Sequence, residues 1–448
     1  MTARVLFIGD IHLGRRPGHL PEALQTCKWS PADLGPVAAW LAAVKHAIDE
    51  QVDAVVLAGD VVDCVEDRFE AAQQLELGLT ALAEAAIPCF SVIGNHDVEA
   101  LPRTADLIKG FDLLGRGGSW QRRRVTTRDG GYFDLVGWSF TKSIESNNPL
   151  ADLRSELLEP GEHPCVGVLH CDMGARKSKY APVPRAAFDS GVAAKVDAWF
   201  LGHVHKPSDL CVSRPVGYLG ALTGLDPGEP GVHGPWLATL HGRAAVEVEQ
   251  VPLAPLRWER ITISVEGIEI DSRQQAEDEL YRLLTEANAQ AVSAVSAHIN
   301  WVRAIGLRVT ITGRSNNPGA WHQAIETLQA SSQRRPAREI DECFCFVEKL
   351  MDEVRPAHDL ELLAKGTDPV ALLAQRILDI EGGSERGQRL LHEASIRFKK
   401  LTNQGQWTDL DYEEREPLDY RSLLLRAGYS SLEQLLGQAE QPSGASPT

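Results

Sequence analysis

Short apolar, β-branched runs and stretches of helical spacing alternate along the first half of the chain. Val5 to Ile8 is the first such run, and Pro36 then stands at a helix-starting position before Val37, Trp40, Leu41, Val44 and Ile48, which recur every three or four residues. The segment Trp29 to Pro36 reads as a loop. A run from Val52 to Ala58, helical spacing from Phe69 to Ala86, and a run from Ile87 to Ile93 complete a strand-helix-strand-helix-strand series, which predicts an α/β fold with parallel strands. Between Trp120 and Trp138 the period changes, and Asp129-Gly130-Gly131 predicts a hairpin. Strands are expected at 165–170 and 196–201, followed by a Gly-rich segment from Pro215 to Val251 with a last strand near 236–240.

After Pro252 and Pro255 the pattern becomes strand (260–265), helix (271–290), strand (305–312), helix (318–330) and strand (343–348), a compact α+β unit suited to shaping or gating access to a site. Asp368-Pro369 resembles an N-cap with proline in the first turn, ahead of an apolar stripe of Leu372, Leu373, Ile377 and Ile380. Helical stretches at 385–401 and 420–436 follow. They either pack on their own chain or reserve apolar surface for a partner, and the two readings stand level. The expected organisation is a domain over 1–255, an α+β unit over 256–352, a helical region over 353–440, and a disordered polar tail over 441–448.

The chemistry lies where the apolar runs end. Asp10-Ile11-His12 follows the first run, Gly59-Asp60-Val61-Val62-Asp63 the second, and Gly94-Asn95-His96-Asp97 the third; His170 ends the run from Cys165, and Gly202-His203-Val204-His205 ends the run from Val196. Any one of these is more often a polar turn than a site. Five in the same sense are a pattern, because ligands bind at the carboxyl ends of strands in open α/β sheets. Asp10, His12, Asp60, Asn95, His170, His203 and His205 are seven oxygen and imidazole donors, too many for one catalytic ion and right for two if one carboxylate bridges. The donor set suits manganese, magnesium, iron or zinc over a thiophilic metal. Two such ions about 4 Å apart fit hydrolysis of a phosphate ester. His96 could then protonate the leaving alkoxide, with Asp97 holding its ring.

Composition narrows the partners. The net charge of −17 weighs mildly against nucleic acid, although local patches matter more than the sum. Candidate patches are Arg15-Arg16, Arg122-Arg123-Arg124 with Arg128, Arg176-Lys177 with Lys179, and Arg334-Arg335 with Arg338, each by itself more commonly a solvated face. Eight cysteines lack CxxC spacing, and Cys343 and Cys345 share one strand face, so reduced structural thiols are expected. Met1 to Gly9 is too short for a signal peptide and no run reaches membrane-spanning length, which places the protein in the cytoplasm, away from membranes. No Gly-x-x-x-x-Gly-Lys-Ser/Thr loop occurs, so any ATP-driven step needs a partner.

The series Asp10-x-His12, Gly59-Asp60-x-x-Asp63, Gly94-Asn95-His96-Asp97, His170 and Gly202-His203-x-His205 resembles the calcineurin-like metallophosphoesterase superfamily. Within it, Gly9-Asp10-Ile11-His12-Leu13-Gly14, Tyr180-Ala181-Pro182, Phe200 to Pro207 and Ala364 to Pro369 resemble SbcD-type DNA repair exonucleases. The resemblance implies two packed mixed sheets flanked by helices, then a small cap domain that helps orient DNA. It implies one ion on Asp10, His12, Asp60 and His205, a second on Asp60, Asn95, His170 and His203, Asp60 as the bridge, and His96 as the catalytic histidine. It also implies manganese, DNA as substrate, an SbcC-like coiled-coil ATPase as partner, and a homodimer within that complex. Tyr218-Leu219-Gly220-Ala221 stands where relatives carry Pro-Gly, and Cys171 where a small polar residue is common; both bear on the substrate loop and neither is an expected ligand. The alternatives are a phosphodiesterase of small nucleotides and a scaffold that binds DNA ends without cutting, which loss of ligands would mark.

Overall fold

A computed structural model describes residues 2–63, 68–108, 110–158, 163–175, 177–243, 245–295, 301–331, 335–358, 360–402 and 420–440. The expected tail, Arg176 and Arg334 lie outside the described residues. The chain divides into two compact units, the first formed by 1–260, 286–308 and 335–348, the second by 261–285, 309–334 and 349–448.

In the first unit, β1 (Thr2–Ile8), β2 (Ala54–Leu57), β3 (Cys89–Ser91) and β4 (Phe111–Leu113) pair in parallel. Helices α1 (Pro36–Asp49), α2 (Arg68–Glu84) and α3 (Leu101–Ala105) are their crossovers. A second sheet contains the hairpin β5 (Gln121–Thr126) and β6 (Tyr132–Trp138), then β7 (Cys165–His170). The two-residue pair β8 (Asp172–Met173) and β9 (Pro182–Val183) follows, before β10 (Ala198–Gly202) and β11 (Val216–Tyr218), which continue the second sheet. Strands β12 (Trp236–His241) and β13 (Ala245–Gln250) return antiparallel to the first sheet, giving orders β13-β12-β1-β2-β3-β4 and β11-β10-β7-β6-β5.

Side-chain alternation makes these sheets a sandwich. Val5, Phe7, Val56 and Ala58 share one core with Phe133, Leu135, Val166, Val168 and Phe200 of the second sheet, and the Phe7 and Phe200 rings stack at 3.9 Å. The alternate residues Leu6, Ile8, Val55 and Leu57 pack instead with Trp40, Val44, Leu75 and Leu79 of the helices. Strands buried on both faces read as unbroken apolar runs, which is why the sequence marks them clearly. The expected α/β class and two-sheet architecture are both present.

A four-stranded sheet, in the order β14-β15-β17-β16, is formed by β14 (Leu256–Ser264), β15 (Ala304–Ser315), β16 (Ala337–Ile340) and β17 (Cys343–Pro356), and the unit division runs through it. Helices α4 (Arg273–Ala294) and α5 (Pro318–Gln329) belong to the same stretch of chain. In the second unit, α6 (Leu360–Leu363), α7 (Pro369–Glu381), α8 (Glu385–Thr402) and α9 (Tyr420–Glu440) include a core of Ala374, Ile377, Ile380, Leu425, Tyr429 and Leu432. Asp368 caps α7 by accepting from the Ala371 N–H at 2.8 Å, with Pro369 in the first turn, as its sequence suggests. All seven described cysteines are free, and Cys343 and Cys345 are both buried. Among the described residues no helix is long and apolar enough to cross a membrane.

Candidate dinuclear metal centre

Parallel pairing brings the carboxyl ends of β1, β2 and β3, and those of β7 and β10, to common edges, and the loops there interlock. The Ile11 and His12 N–H groups both donate to the Asp60 carbonyl at 3.0 Å. The His203 N–H donates to Asp10 Oδ1 at 2.9 Å, and the His96 N–H to Asp60 Oδ1 at 3.0 Å. These turns are tight enough that His12 (φ 54°), Asp60 (φ 48°) and His203 (φ 103°) occupy left-handed backbone, as does Gly59 (φ 88°).

Three imidazoles are fixed by their Nδ1 atoms. His170 Nδ1 lies 3.0 Å from the Ala58 carbonyl, His12 Nδ1 2.9 Å from Asp63 Oδ1, and His205 Nδ1 2.5 Å from Glu229 Oε1. Each acceptor needs the proton on Nδ1, so each Nε2 presents a lone pair. The His12 and His205 Nε2 atoms then face one another at 3.0 Å, and His170 Nε2 faces Asn95 Oδ1 at 3.1 Å and Asp60 Oδ2 at 3.3 Å. Acceptors opposed at such distances repel unless a proton or a cation lies between them. Asp10 Oδ2, fully buried, has no hydrogen-bond partner among the described residues, and an orphaned carboxylate oxygen is costly unless it ligates. The donor set therefore fits divalent ions of the oxygen- and imidazole-preferring kind.

The electrostatics agree. Burial would push the His170 imidazole down, but the Asp60 and Asp10 carboxylates overcome it and raise it to about 9. Burial would raise Asp60, yet the His170, His12 and His96 rings hold it well below the usual carboxylate range. His203 is lowered by burial and by the neighbouring His170. Burial would push His205 down, but the Glu229 hydrogen bond together with the Asp10 and Glu229 charges outweighs it and raises the ring.

The structure gathers most of the expected ligands. Potential ligand atoms of Asp10, His12 and His205 lie within 4.8 Å of one another, as do those of Asp10, Asp60 and His170, and those of His12, Asp63 and His96. Asn95 joins through its contact with His170. The His203 ring stands outside these groups, 5.3 Å from the His170 ring and 5.1 Å from that of Tyr180.

One expectation is corrected. Asp97 does not hold the His96 ring: its carboxylate is buried and accepts the backbone N–H groups of Val62 at 2.9 Å and Gly94 at 3.0 Å, stapling two ligand loops together. His96 is exposed, and its Nδ1 lies 2.7 Å from the Asp63 carbonyl oxygen, which orients the ring. Asp63 and Glu229, whose carboxylates hold the His12 and His205 rings, are residues for which the sequence suggests no role. Asp63 was visible in the Asp60-x-x-Asp63 spacing, whereas Glu229 lies in the turn-rich Asp226-Pro227-Gly228-Glu229-Pro230-Gly231 and carries no signal.

The basic patches resolve unequally. Arg122 and Arg124 pair with Asp134 at 2.6 and 3.1 Å, and Arg123 pairs with Asp112 at 2.5 Å, so the hairpin arginines answer internal carboxylates. Arg15, half-buried directly after the His12 loop, forms no ion pair among the described residues.

Residues 3–207 match the family model of the calcineurin-like phosphoesterases. This segment is a calcineurin-like phosphoesterase domain. The chain is 26% identical to a protein named DNA double-strand break repair protein Mre11 from Methanosarcina mazei, over 59% of this chain and 40% of that protein. It is 26% identical to a protein of the same name from Methanosarcina acetivorans, over 72% of this chain and 48% of that protein. It is 25% identical to an uncharacterized metallophosphoesterase, YhaO, of Bacillus subtilis, over 50% of this chain and 55% of that protein. The chain thus spans about half the length of these curated relatives, or less. The phosphoesterase domain contains all seven expected ligands and His96; Glu229 lies beyond the matched residues.

Proposed function

We propose that the protein is a two-metal-dependent DNA nuclease, an exonuclease or endonuclease acting in repair with an SbcC-like coiled-coil ATPase and with manganese as its metal. The observation that supports the metal chemistry is the opposition of acceptors: three imidazole Nε2 atoms, the Asn95 and Asp60 oxygens, and an orphaned Asp10 oxygen converge where protons or, at working pH, cations must lie between them. The relatives named for DNA double-strand break repair support DNA as the substrate.

Asp10, His12 and His205 would hold one ion and Asn95 and His170 the other; Asp60 would bridge and His203 complete the second set. Bound, such a pair supplies hydroxide near neutral pH and neutralises the phosphate. The chain's own residues do the rest. His96 is exposed at the rim with Nδ1 committed to the Asp63 carbonyl, so its Nε2 is the nitrogen that can exchange a proton with the leaving oxygen. Arg15, in no ion pair among the described residues, offers a cation for a non-bridging phosphate oxygen. Residues 256–352 would orient DNA as a cap, and the helical region 353–440, with Leu362, Leu372 and Leu423 exposed, would bind the ATPase in a complex built on a homodimer.

Release of acid-soluble nucleotides from linear DNA with manganese tests this reading. Wild type should release them, with or without the ATPase, and Asp60→Ala and His96→Ala should not. Intact DNA together with hydrolysis of a small phosphodiester would overturn the nuclease assignment and leave the metal chemistry standing.

A further inference from the structure

His205 is the last ligand before the family match ends, yet what fixes its ring comes later in the chain. Glu229 Oε1 accepts a hydrogen bond from His205 Nδ1–H at 2.5 Å, and Glu229 Oε2 accepts the Leu225 N–H at 2.9 Å, so both carboxylate oxygens are committed. The carboxylate is largely buried, at 16% exposure, and its charge therefore acts in a poorly screened setting. The loop that carries it is gripped at both ends by one residue. Trp258 of β14 donates its indole N–H to the Gly224 carbonyl at 3.2 Å, and its own carbonyl accepts the Gly231 N–H at 2.8 Å. Trp258 is in turn fully buried against Leu24, Leu34, Leu256, Ala304, Phe344 and Phe346. The approach of loop to indole is close: a Cβ on Gly224 would stand 3.0 Å from Trp258 Cδ1.

We infer that Glu229 is the positioning residue for the ion held by His12 and His205, and that Trp258, by clamping residues 224–231, sets that ion's affinity from outside the phosphoesterase segment. A carboxylate on the distal nitrogen of a metal-bound imidazole fixes its tautomer and raises its basicity, and loss of such a partner costs about 10–100-fold in metal affinity. The corresponding partner of His12 is Asp63, which lies within the segment, so Glu229 is the half of the arrangement that a domain ending at residue 207 would lack. The inference rests on the two-metal reading of the site and is independent of its substrate.

The test is titration of the metal-free full chain with manganese, following stoichiometry by calorimetry and the exchange-coupled signal of an ion pair by electron paramagnetic resonance. Wild type should bind two ions and show the coupled signal. Glu229→Ala should weaken one binding step about 10–100-fold and leave the other, so that at one equivalent excess the spectrum is that of isolated manganese. Glu229→Gln keeps an acceptor for Nδ1–H without the charge and should fall between the two, a partial rescue that a purely structural role would not give. Trp258→Phe should weaken the same step by a smaller factor. Two ions bound at wild-type affinity by folded Glu229→Ala, or by Glu229→Gln if the alanine variant does not fold, would overturn the inference. So would equal weakening of both steps. Absence of nuclease activity in wild type would refute the proposed substrate without touching this result.

Discussion

Gly94→Ala is the smallest change expected to disable the centre without removing a ligand. A Cβ at position 94 would stand 2.1 Å from Asp60 Oδ1, 2.5 Å from the Asp60 nitrogen and 2.9 Å from its Cγ. Ordinary contact begins near 3.4 Å, so Asp60 would have to retreat by about 1 Å. Its backbone cannot do so freely, since the Asp60 carbonyl accepts both Ile11 and His12 N–H groups. Because the 2.5 Å contact is with backbone, the loops carrying residues 60 and 94 would have to part as well as the side chain turn, breaking its 3.0 Å bond to the His96 N–H and its 3.3 Å approach to His170. Overpacking of this kind costs about 1–3 kcal/mol, equivalent to a few degrees of melting temperature. The functional loss should be far larger, because Asp60, proposed above as the carboxylate shared by both ions, would be displaced from both. Manganese stoichiometry by calorimetry is expected to fall from two to one or none, with phosphodiesterase activity lost, while the fold survives by circular dichroism. Gly18→Ala, where an added Cβ meets nothing within 4 Å, is the control and should match wild type. Two ions bound at wild-type affinity by Gly94→Ala would refute the reasoning.

Three further outcomes follow from the site. In chelator-treated protein, the rise of His170 from 6.5 to about 9 corresponds to about 3 kcal/mol that is fully present below pH 6.5 and lost as pH climbs through 9; urea midpoints measured from pH 6 to 10 should fall accordingly, and manganese should flatten the curve. Asp97→Asn should lower stability and metal loading through the Val62 and Gly94 N–H groups but leave turnover per loaded site near wild type; turnover lost at full metal loading would restore Asp97 to the ring-holding role. Arg15→Ala should raise KM for a phosphodiester by about 10–100-fold, the worth of about 1.5–3 kcal/mol for a charged hydrogen bond, with Arg15→Lys intermediate; an unchanged KM would remove Arg15 from the substrate site.

The seven ligand candidates were legible because a strand buried on both faces has no polar residue to lose until it ends. Asp10 after Val5 to Ile8 and His203 after Trp199 to Leu201 stand out against that background. The role of Asp97 was misread because neighbours in sequence are not neighbours in space within a tight turn. His96 faces outward, and Asp97 turns inward to the N–H groups of Val62 and Gly94. Glu229 was illegible because a Pro- and Gly-rich turn has no period from which to read a direction. Strand β4 is three residues long and gives too little alternation to register. Strand β17 runs to Pro356, past the expected end at 348, because the charged Glu348-Lys349 interrupts the apolar run without breaking the strand: Glu348 pairs with Arg308 at 2.8 Å, and Leu350 and Val354 return to the buried face.

The left-handed backbone at His12, Asp60 and His203 sets stability and chemistry against each other at single positions. Glycine is the residue that would relieve each of these turns most fully, and it is also the residue with nothing to offer an ion. A library of this chain screened for heat resistance alone should therefore collect glycines at 12, 60 and 203 early, and the most robust survivors would be inert. Any programme to harden the protein has to select for turnover in the same round.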